Sequence, residues 1–263
     1  MRDPVVDPAL TAELGGSGTP VRWEQLTSPE SVEVVRRMPA AIVPVGAIEQ
    51  HGPHMAMSVD ADIATYVARG VSALTGVPVV PTLAYGVSGS HGELPGTITV
   101  APETMIAVLT DVLESLYRAG VRQFVLLNSH TWNAGPMEVA ADKLRIAHDD
   151  VRVRCLFYVT MYPGPEVDGR VTYGRGLMHA NYFETSMMLH IRPEAVHMER
   201  AVSVTDVDTF WDYRTDQVSA SGVWGRDVDQ AEAAHGAAEA ARCVETTARA
   251  VAAAVREPWP TPR

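Results

Sequence analysis

The feature that most constrains this chain is the run of residues 40–48, which holds only apolar side chains and glycine and stops abruptly at Glu49. Its length, its β-branched content and its apolarity on both faces predict a strand of a parallel sheet covered by helices on either side. Glu49-Gln50-His51-Gly52-Pro53-His54 follows, switching to carboxylate and imidazole groups around a Gly-Pro turn. That is the pattern of a buried strand ending in a site. Glu49, His51 and, a little further on, Asp60 offer two hard oxygen donors and one imidazole, a mixture that suits zinc, manganese or ferrous iron.

The rest of the chain alternates strand and helix. A helix is expected over 23–38, with Ser28 or Ser31 as its cap. Another carries Ile63, Val67, Gly70, Val71 and Leu74 on one face. A strand over 77–83 runs into the glycine- and proline-rich loop 85–97, where backbone is built to approach something closely. Helix 102–119 leads to a strand over 124–127, which ends in Asn128-Ser129-His130-Thr131-Trp132-Asn133. Helix 136–148 and a strand over 151–161 follow, then a loop over 163–176 that serves as a lid or as a plain surface connection. After His179 comes an apolar helix through Ile191, with Glu184 able to border the same pocket. Residues 204–225 are irregular, with Trp211, Tyr213 and Trp224 available to core, pocket or subunit contact, and a long Ala-rich helix covers 230–256.

This alternation predicts an α/β fold, a three-layer α/β/α sandwich with a mainly parallel central sheet. Ligands in such sheets sit beyond the carboxyl ends of the strands, which is where Glu49, Ser88 and His130 all fall. Residues 1–20 lack any apolar period and are expected as a flexible arm, with 21–263 forming one domain.

A net charge of −11 argues against nucleic acid or an anionic membrane as partner. No charge-free apolar span reaches membrane length, and the N-terminal residues lack the apolar core of a signal peptide. Two cysteines far apart in apolar contexts, Cys155 and Cys243, predict buried free thiols and a cytoplasmic location.

Any one of these histidines alone would more often be a satisfied core or surface residue. Position is what distinguishes Glu49, His51, Asp60, His130, His179 and Glu184, all at strand ends or helix starts among turn residues. A hydrolytic site needs two or three anchored ligands per metal and an open position for water. Two imidazoles and three carboxylates can hold a metal pair, with Asp60 as the bridge.

Taken together, Glu49-Gln50-His51-Gly52-Pro53-His54 with Asp60, Gly86-Val87-Ser88 with Leu94-Pro95-Gly96-Thr97, Asn128-Ser129-His130, and His179 with Glu184-Thr185-Ser186 closely resemble the creatininase family of creatinine amidohydrolases. The resemblance spans roughly residues 40 to 235. It implies the three-layer fold, two divalent metal ions (zinc, manganese or iron), hydrolysis of a small cyclic amide or formamide, and a homohexamer. It makes Glu49, His51, Asp60 and His130 metal ligands, with His179 moving protons near the scissile bond.

Two departures bear on the substrate. Creatininases carry Tyr and then a ligating Glu after the strand-end histidine, where this chain has Thr131 and Trp132. Trp132 cannot coordinate a metal, so the resemblance assigns the outstanding ligand to Glu184. Ser90 stands where relatives often have Glu before His91. Ser88, Thr131 and Trp132 are the expected substrate contacts, and the substrate is a small molecule. Within the family the alternatives are a formamidopyrimidine-type deformylase, a mycofactocin-type peptidase and a cyclic sugar-ketone hydrolase. Outside it stands a metal-binding oligomer whose catalysis has lapsed because Trp132 fills the pocket.

Overall fold

The structure is a computed structural model and describes residues 1–158, 166–167, 170–171, 179–204 and 213–259. At its centre β1 (Ala40–Val45), buried along its whole length, pairs in parallel with β2 (Gln123–Asn128), and β2 pairs in parallel with β3 (Arg152–Phe157). The register sets Val45 opposite Asn128 and Asn128 opposite Phe157, so the three strands finish level. A short antiparallel pair, β4 (Glu166–Val167) and β5 (Arg170–Val171), lies outside this sheet.

The segment expected as a strand over 77–83 runs parallel to the free edge of β1, but joins it only through separate bridges at Val79 and Leu83. Pro44 explains the gap. Ile42 and Gly46 donate their N–H groups toward this segment, to Pro78 and Leu83, and the residue between them that would donate next has no N–H.

Side chains alternate across the sheet and separate two cores. Ala40, Ile42, Val125 and Leu127 face the layer of α1 (Pro8–Leu14), α3 (Val59–Thr75), α6 (Tyr182–Ile191) and α8 (Ala233–Arg256). Ala41, Val43, Phe124 and Leu126 face α4 (Pro102–Arg118) and α5 (Ala134–Ala147), with Val35 of α2 (Ser28–Arg37) at the margin. This is the three-layer α/β/α arrangement, and α8 packs on α6 and α3. A further single turn, α7 (Thr215–Val218), precedes Trp224.

Three further expectations change. Residues 8–14, expected within a flexible arm, form α1: Asp7 caps it, Pro8 opens it, Gly15 closes it at φ 86°, and Leu10 and Leu14 are buried on one side. Spacing by one turn is enough to dock a short helix when a neighbouring groove is apolar. The expected helix over 23–38 is a turn at 23–25 followed by α2, and its cap is Thr27, whose N–H and hydroxyl both reach Glu30 (2.7 and 2.6 Å). The last expected strand is β3, with its positions 159–161, the 163–176 loop apart from β4 and β5, and Trp211 lying outside the described residues. Both cysteines are free thiols, Cys243 buried as expected and Cys155 only half-buried, and no described helix is long and apolar enough to cross a membrane.

Candidate metal centre

Four chain segments deliver polar groups to the ends of the strands. The loop after β1 carries Glu49 and His51; the first turn of α3 carries Asp60; the turn after β2 carries His130; and the segment entering α6 carries His179 and Glu184. All six side chains are buried. Glu184 is set by its own helix start: Asn181 accepts its N–H at 2.9 Å, while its carboxylate accepts the N–H of Ala180 at 2.7 Å. Ala180 takes a left-handed φ of 51°, a costly conformation for a residue with a Cβ.

Three of the imidazoles share one arrangement. Nδ1 of His51 lies 3.0 Å from the carbonyl of Glu49, Nε2 of His130 lies 2.9 Å from the carbonyl of Val87, and Nε2 of His179 lies 2.8 Å from the carbonyl of Gln50. A carbonyl only accepts, so each of these nitrogens is assigned the proton. The other nitrogen of each ring then turns a lone pair on a carboxylate. His51 Nε2 is 3.6 Å from Asp60, His130 Nδ1 is 3.3 Å from Asp60, and His179 Nδ1 is 3.3 Å from Glu49. Lone pairs facing carboxylate oxygens repel unless a proton or cation lies between them. Imidazoles anchored through a carbonyl, with the free nitrogen turned inward, are the standard support of a metal ligand.

The charge balance says the same. Burial pushes the Glu49 carboxyl up, and pushes that of Glu184 up to about 7. Burial disfavours protonated His51 and His130, but the neighbouring carboxylates outweigh it and raise them to about 10 and about 9. Burial would likewise raise Asp60, yet these two imidazoles hold it below its ordinary value. His91 falls to about 3 and His179 well below its usual range, through burial first and then the other imidazoles. Three buried carboxylates thus demand positive charge. Both Glu49 oxygens, Asp60 Oδ2 and His51 Nε2 are buried without a hydrogen-bond partner. Donor atoms of Glu49, Asp60 and His130 lie within 4.8 Å of one another, as do those of His51, His179 and Glu184. This set fits divalent cations held by mixed nitrogen and oxygen ligands.

Glu49, Asp60, His130, His179, Glu184, Thr131 and Trp132 line one cleft, whose other wall is aromatic: Phe157, Tyr158, Phe183 and Trp224. His51 is not among the lining residues. Ser88, expected at the substrate, does not line the cleft; it is fully buried, with its hydroxyl 3.4 Å from Nε2 of His130. The segment before Ser88 does approach the site, and its main chain, through the Val87 carbonyl, supports His130.

Sequence reasoning left Trp224 open between core, pocket and subunit contact and passed over His91, Gln50, the other aromatic residues of the wall and a third donor group of Glu49, His91 and His179. His91 lies in the glycine-rich loop already marked as a site element, and Gln50 lies inside the leading motif, so both were findable. Phe157 and Tyr158 carry no local signal beyond standing at the end of β3.

The profile of a family described as Creatinine amidohydrolase matches residues 24–251. The chain is 35% identical over 176 residues to creatinine amidohydrolase of Pseudomonas putida, covering 61% of this chain and 67% of that one. It is 32% identical over 186 residues to the mycofactocin precursor peptide peptidase of Mycobacterium tuberculosis, covering 67% and 68%. A crystal structure of creatinine amidohydrolase (creatininase) superposes with a TM-score of 0.75 at 30% identity, over 88% of this chain and 96% of the other. Creatininase structures described as a manganese form and a zinc–zinc mutant form superpose with TM-scores of 0.74 and 0.73.

Proposed function

The chain belongs to the creatininase family of amidohydrolases, and we propose that it cleaves the C–N bond of a small cyclic amide or formamide in the cleft between His130 and Trp224. The observation that carries this reading is the set of three carbonyl-anchored imidazoles whose lone pairs converge on buried carboxylates. In it, Glu49, Asp60 and His130 would hold one divalent cation, and His51 and Glu184, with Asp60 beside His51, would hold the other. Bound there, such cations supply Lewis-acid polarisation of a carbonyl and lower the pKa of water toward neutrality.

The protein's own groups do the rest. His179 is neutral, its Nε2–H is tied to Gln50, and its Nδ1 is the bare nitrogen facing the cleft. It takes a proton from the attacking water and returns it to the departing nitrogen, without which an amide C–N bond does not break at a useful rate. Trp132 and Thr131 line the cleft, where relatives with a ligating carboxylate differ, and the indole offers a flat apolar wall to a planar substrate.

The test is a panel of lactams, cyclic imides, formamides and short peptides, assayed with metal-free and with manganese- or zinc-loaded protein. Metal-dependent turnover of an amide or formamide, lost in His51→Ala and Glu184→Ala together with bound metal, is the expected result. Full metal occupancy in those variants would sink the ligand assignment. A loaded wild type that turns over nothing would favour a lapsed enzyme, and cleavage of peptides alone would favour the peptidase alternative.

A further inference from the structure

Gln50 places one side-chain amide between two histidines of the cleft. Its Oε1 accepts the main-chain N–H of Gly52 at 3.0 Å. A main-chain N–H can only donate, so that bond identifies the oxygen end of the amide. The other end is the NH2 group, and its two protons meet two acceptors: the carbonyl of Gly222 at 3.1 Å and Nδ1 of His91 at 2.8 Å. Nδ1 of His91 is therefore bare, and its proton is on Nε2, which faces Glu49 Oε1 at 3.4 Å.

His179 is set from the opposite end by the same residue. Its Nε2 lies 2.8 Å from the main-chain carbonyl of Gln50 and carries the proton. The 3.0 Å approach of the Gln50 amide nitrogen to this Nε2 then brings two donors together and is not a bond. What His179 turns toward Glu49 Oε1, at 3.3 Å, is the bare Nδ1. Gly222 makes room for the arrangement: it has a φ of +75°, and a Cβ there would collide with the Gln50 amide.

We infer that Gln50 is a positioning residue that gives His91 and His179 the same Nε2–H tautomer from opposite sides, so that His91 turns its N–H, and His179 its lone pair, toward Glu49. Two consequences follow for the site. Glu49, His91 and His179 lie close enough to resemble a third cation site, yet the nitrogen His91 turns inward is occupied by its proton, so His91 does not ligate. His179 keeps its inward nitrogen free for the chemistry. The inference rests on the proposed function only in taking this cleft as the reaction site.

The experiment is a two-bond proton–nitrogen correlation spectrum of protein labelled with 15N-histidine, recorded metal-free and zinc-loaded. His91 and His179 are assigned by the signals lost in His91→Gln and His179→Gln. Both rings are expected as Nε2–H tautomers without metal, and His91 is expected to stay so when zinc is added. A histidine that ligates through Nε2 would instead show its proton on Nδ1, and that result for His91 would overturn the inference. In Gln50→Glu, a carboxylate oxygen replaces the NH2 group beside His91. The His91 proton should shift to Nδ1 while His179, held by the main chain, is unmoved. A His91 proton that stays on Nε2 in folded Gln50→Glu would equally overturn it. If that variant does not fold, the wild-type spectra with and without zinc decide alone, and neither readout requires turnover.

Discussion

Nε2 of His54 lies 3.0 Å from the hydroxyl of Thr185, and this bond ties the loop after β1 to the first turn of α6. Both residues are fully buried. The second imidazole of the leading motif is thus not aimed at the carboxylates; it joins the segment carrying Glu49 and His51 to the helix carrying Glu184. Burial, then the neighbouring His51, lowers its pKa to about 4, so it is neutral at pH 7. Thr185→Val keeps the shape and removes the hydroxyl, leaving a buried ring nitrogen unpaired. We expect a loss of about 1–3 kcal/mol in unfolding free energy by urea denaturation, with Thr185→Ser restoring most of it. A valine variant as stable as wild type would show that the bond contributes nothing.

Glu49 is the carboxylate that three imidazoles approach, with His91, His130 and His179 nitrogens at 3.4, 3.3 and 3.3 Å. An isolated buried carboxylate destabilises a fold, and a bound cation offsets that cost. Glu49→Gln is therefore expected to raise the melting temperature of metal-free protein while abolishing the further rise that manganese or zinc gives the wild type. Thermal melts with and without each metal test both halves. An equal metal-induced shift in the variant would remove Glu49 from the ligand set.

Trp132 lies on the cleft wall but outside every group of donor atoms. Trp132→Ala should leave metal content at the wild-type level and change which amides are accepted, raising KM for planar substrates by about tenfold as one stacking face is lost. Loss of metal in this variant would mean that the indole supports the ligands and does not contact substrate.

The parts legible from the sequence are those where one residue's chemistry decides the outcome. The 40–48 run announced β1, the strand-to-polar switches marked the sheet end that holds the site, and Asp60 and Glu184 were placed with the imidazoles they face. What stayed hidden depends on pairwise geometry. Leu10 and Leu14 show their meaning only against the groove of α3 and α8, and the broken ladder beside β1 needs Pro44 in register with its neighbour. Ser88 was placed on the right loop yet faces His130 and not the cleft. Which nitrogen of each ring carries its proton follows from carbonyls at Glu49, Gln50 and Val87, and every residue has a carbonyl, so no side-chain pattern encodes it.

The two thiols give a prediction about pH. Burial, followed by the neighbouring acidic Glu138, pushes Cys155 up to about 12, and burial pushes Cys243 up to about 12. A thiol reacts as its thiolate, so both should resist iodoacetamide in native protein at pH 8, whereas in denaturant each returns to near 8.5 and reacts. The sign follows from the raised folded values: the neutral thiols favour the folded state below about pH 8.5, and that contribution is lost as pH rises toward 12. Half-buried Cys155 should label before Cys243 as pH is raised. Rapid native labelling of Cys243 at pH 8 would contradict the burial argument.

Gly46 is the last position at which the fold and the site meet. It follows β1, where the first turn of α3 crosses the chain, and a Cβ on it would lie 2.6 Å from Cα of Ala61 and 2.8 Å from the main-chain carbon of Asp60. Both are backbone atoms with no side-chain freedom to yield, so Gly46→Ala must push the start of α3 away from the sheet. Asp60 would move with it, while Glu49 and His130 stay on their own segments. The expected outcome is a folded protein with intact secondary structure by circular dichroism, a lower melting temperature and metal affinity reduced by at least tenfold, since a ligand misplaced by a few tenths of an ångström no longer shares its cation. Ala61→Gly in the same background removes a Cβ but none of the clashing atoms, so it should not restore binding. Unchanged metal affinity in Gly46→Ala would show that α3 can shift without carrying Asp60 out of the site.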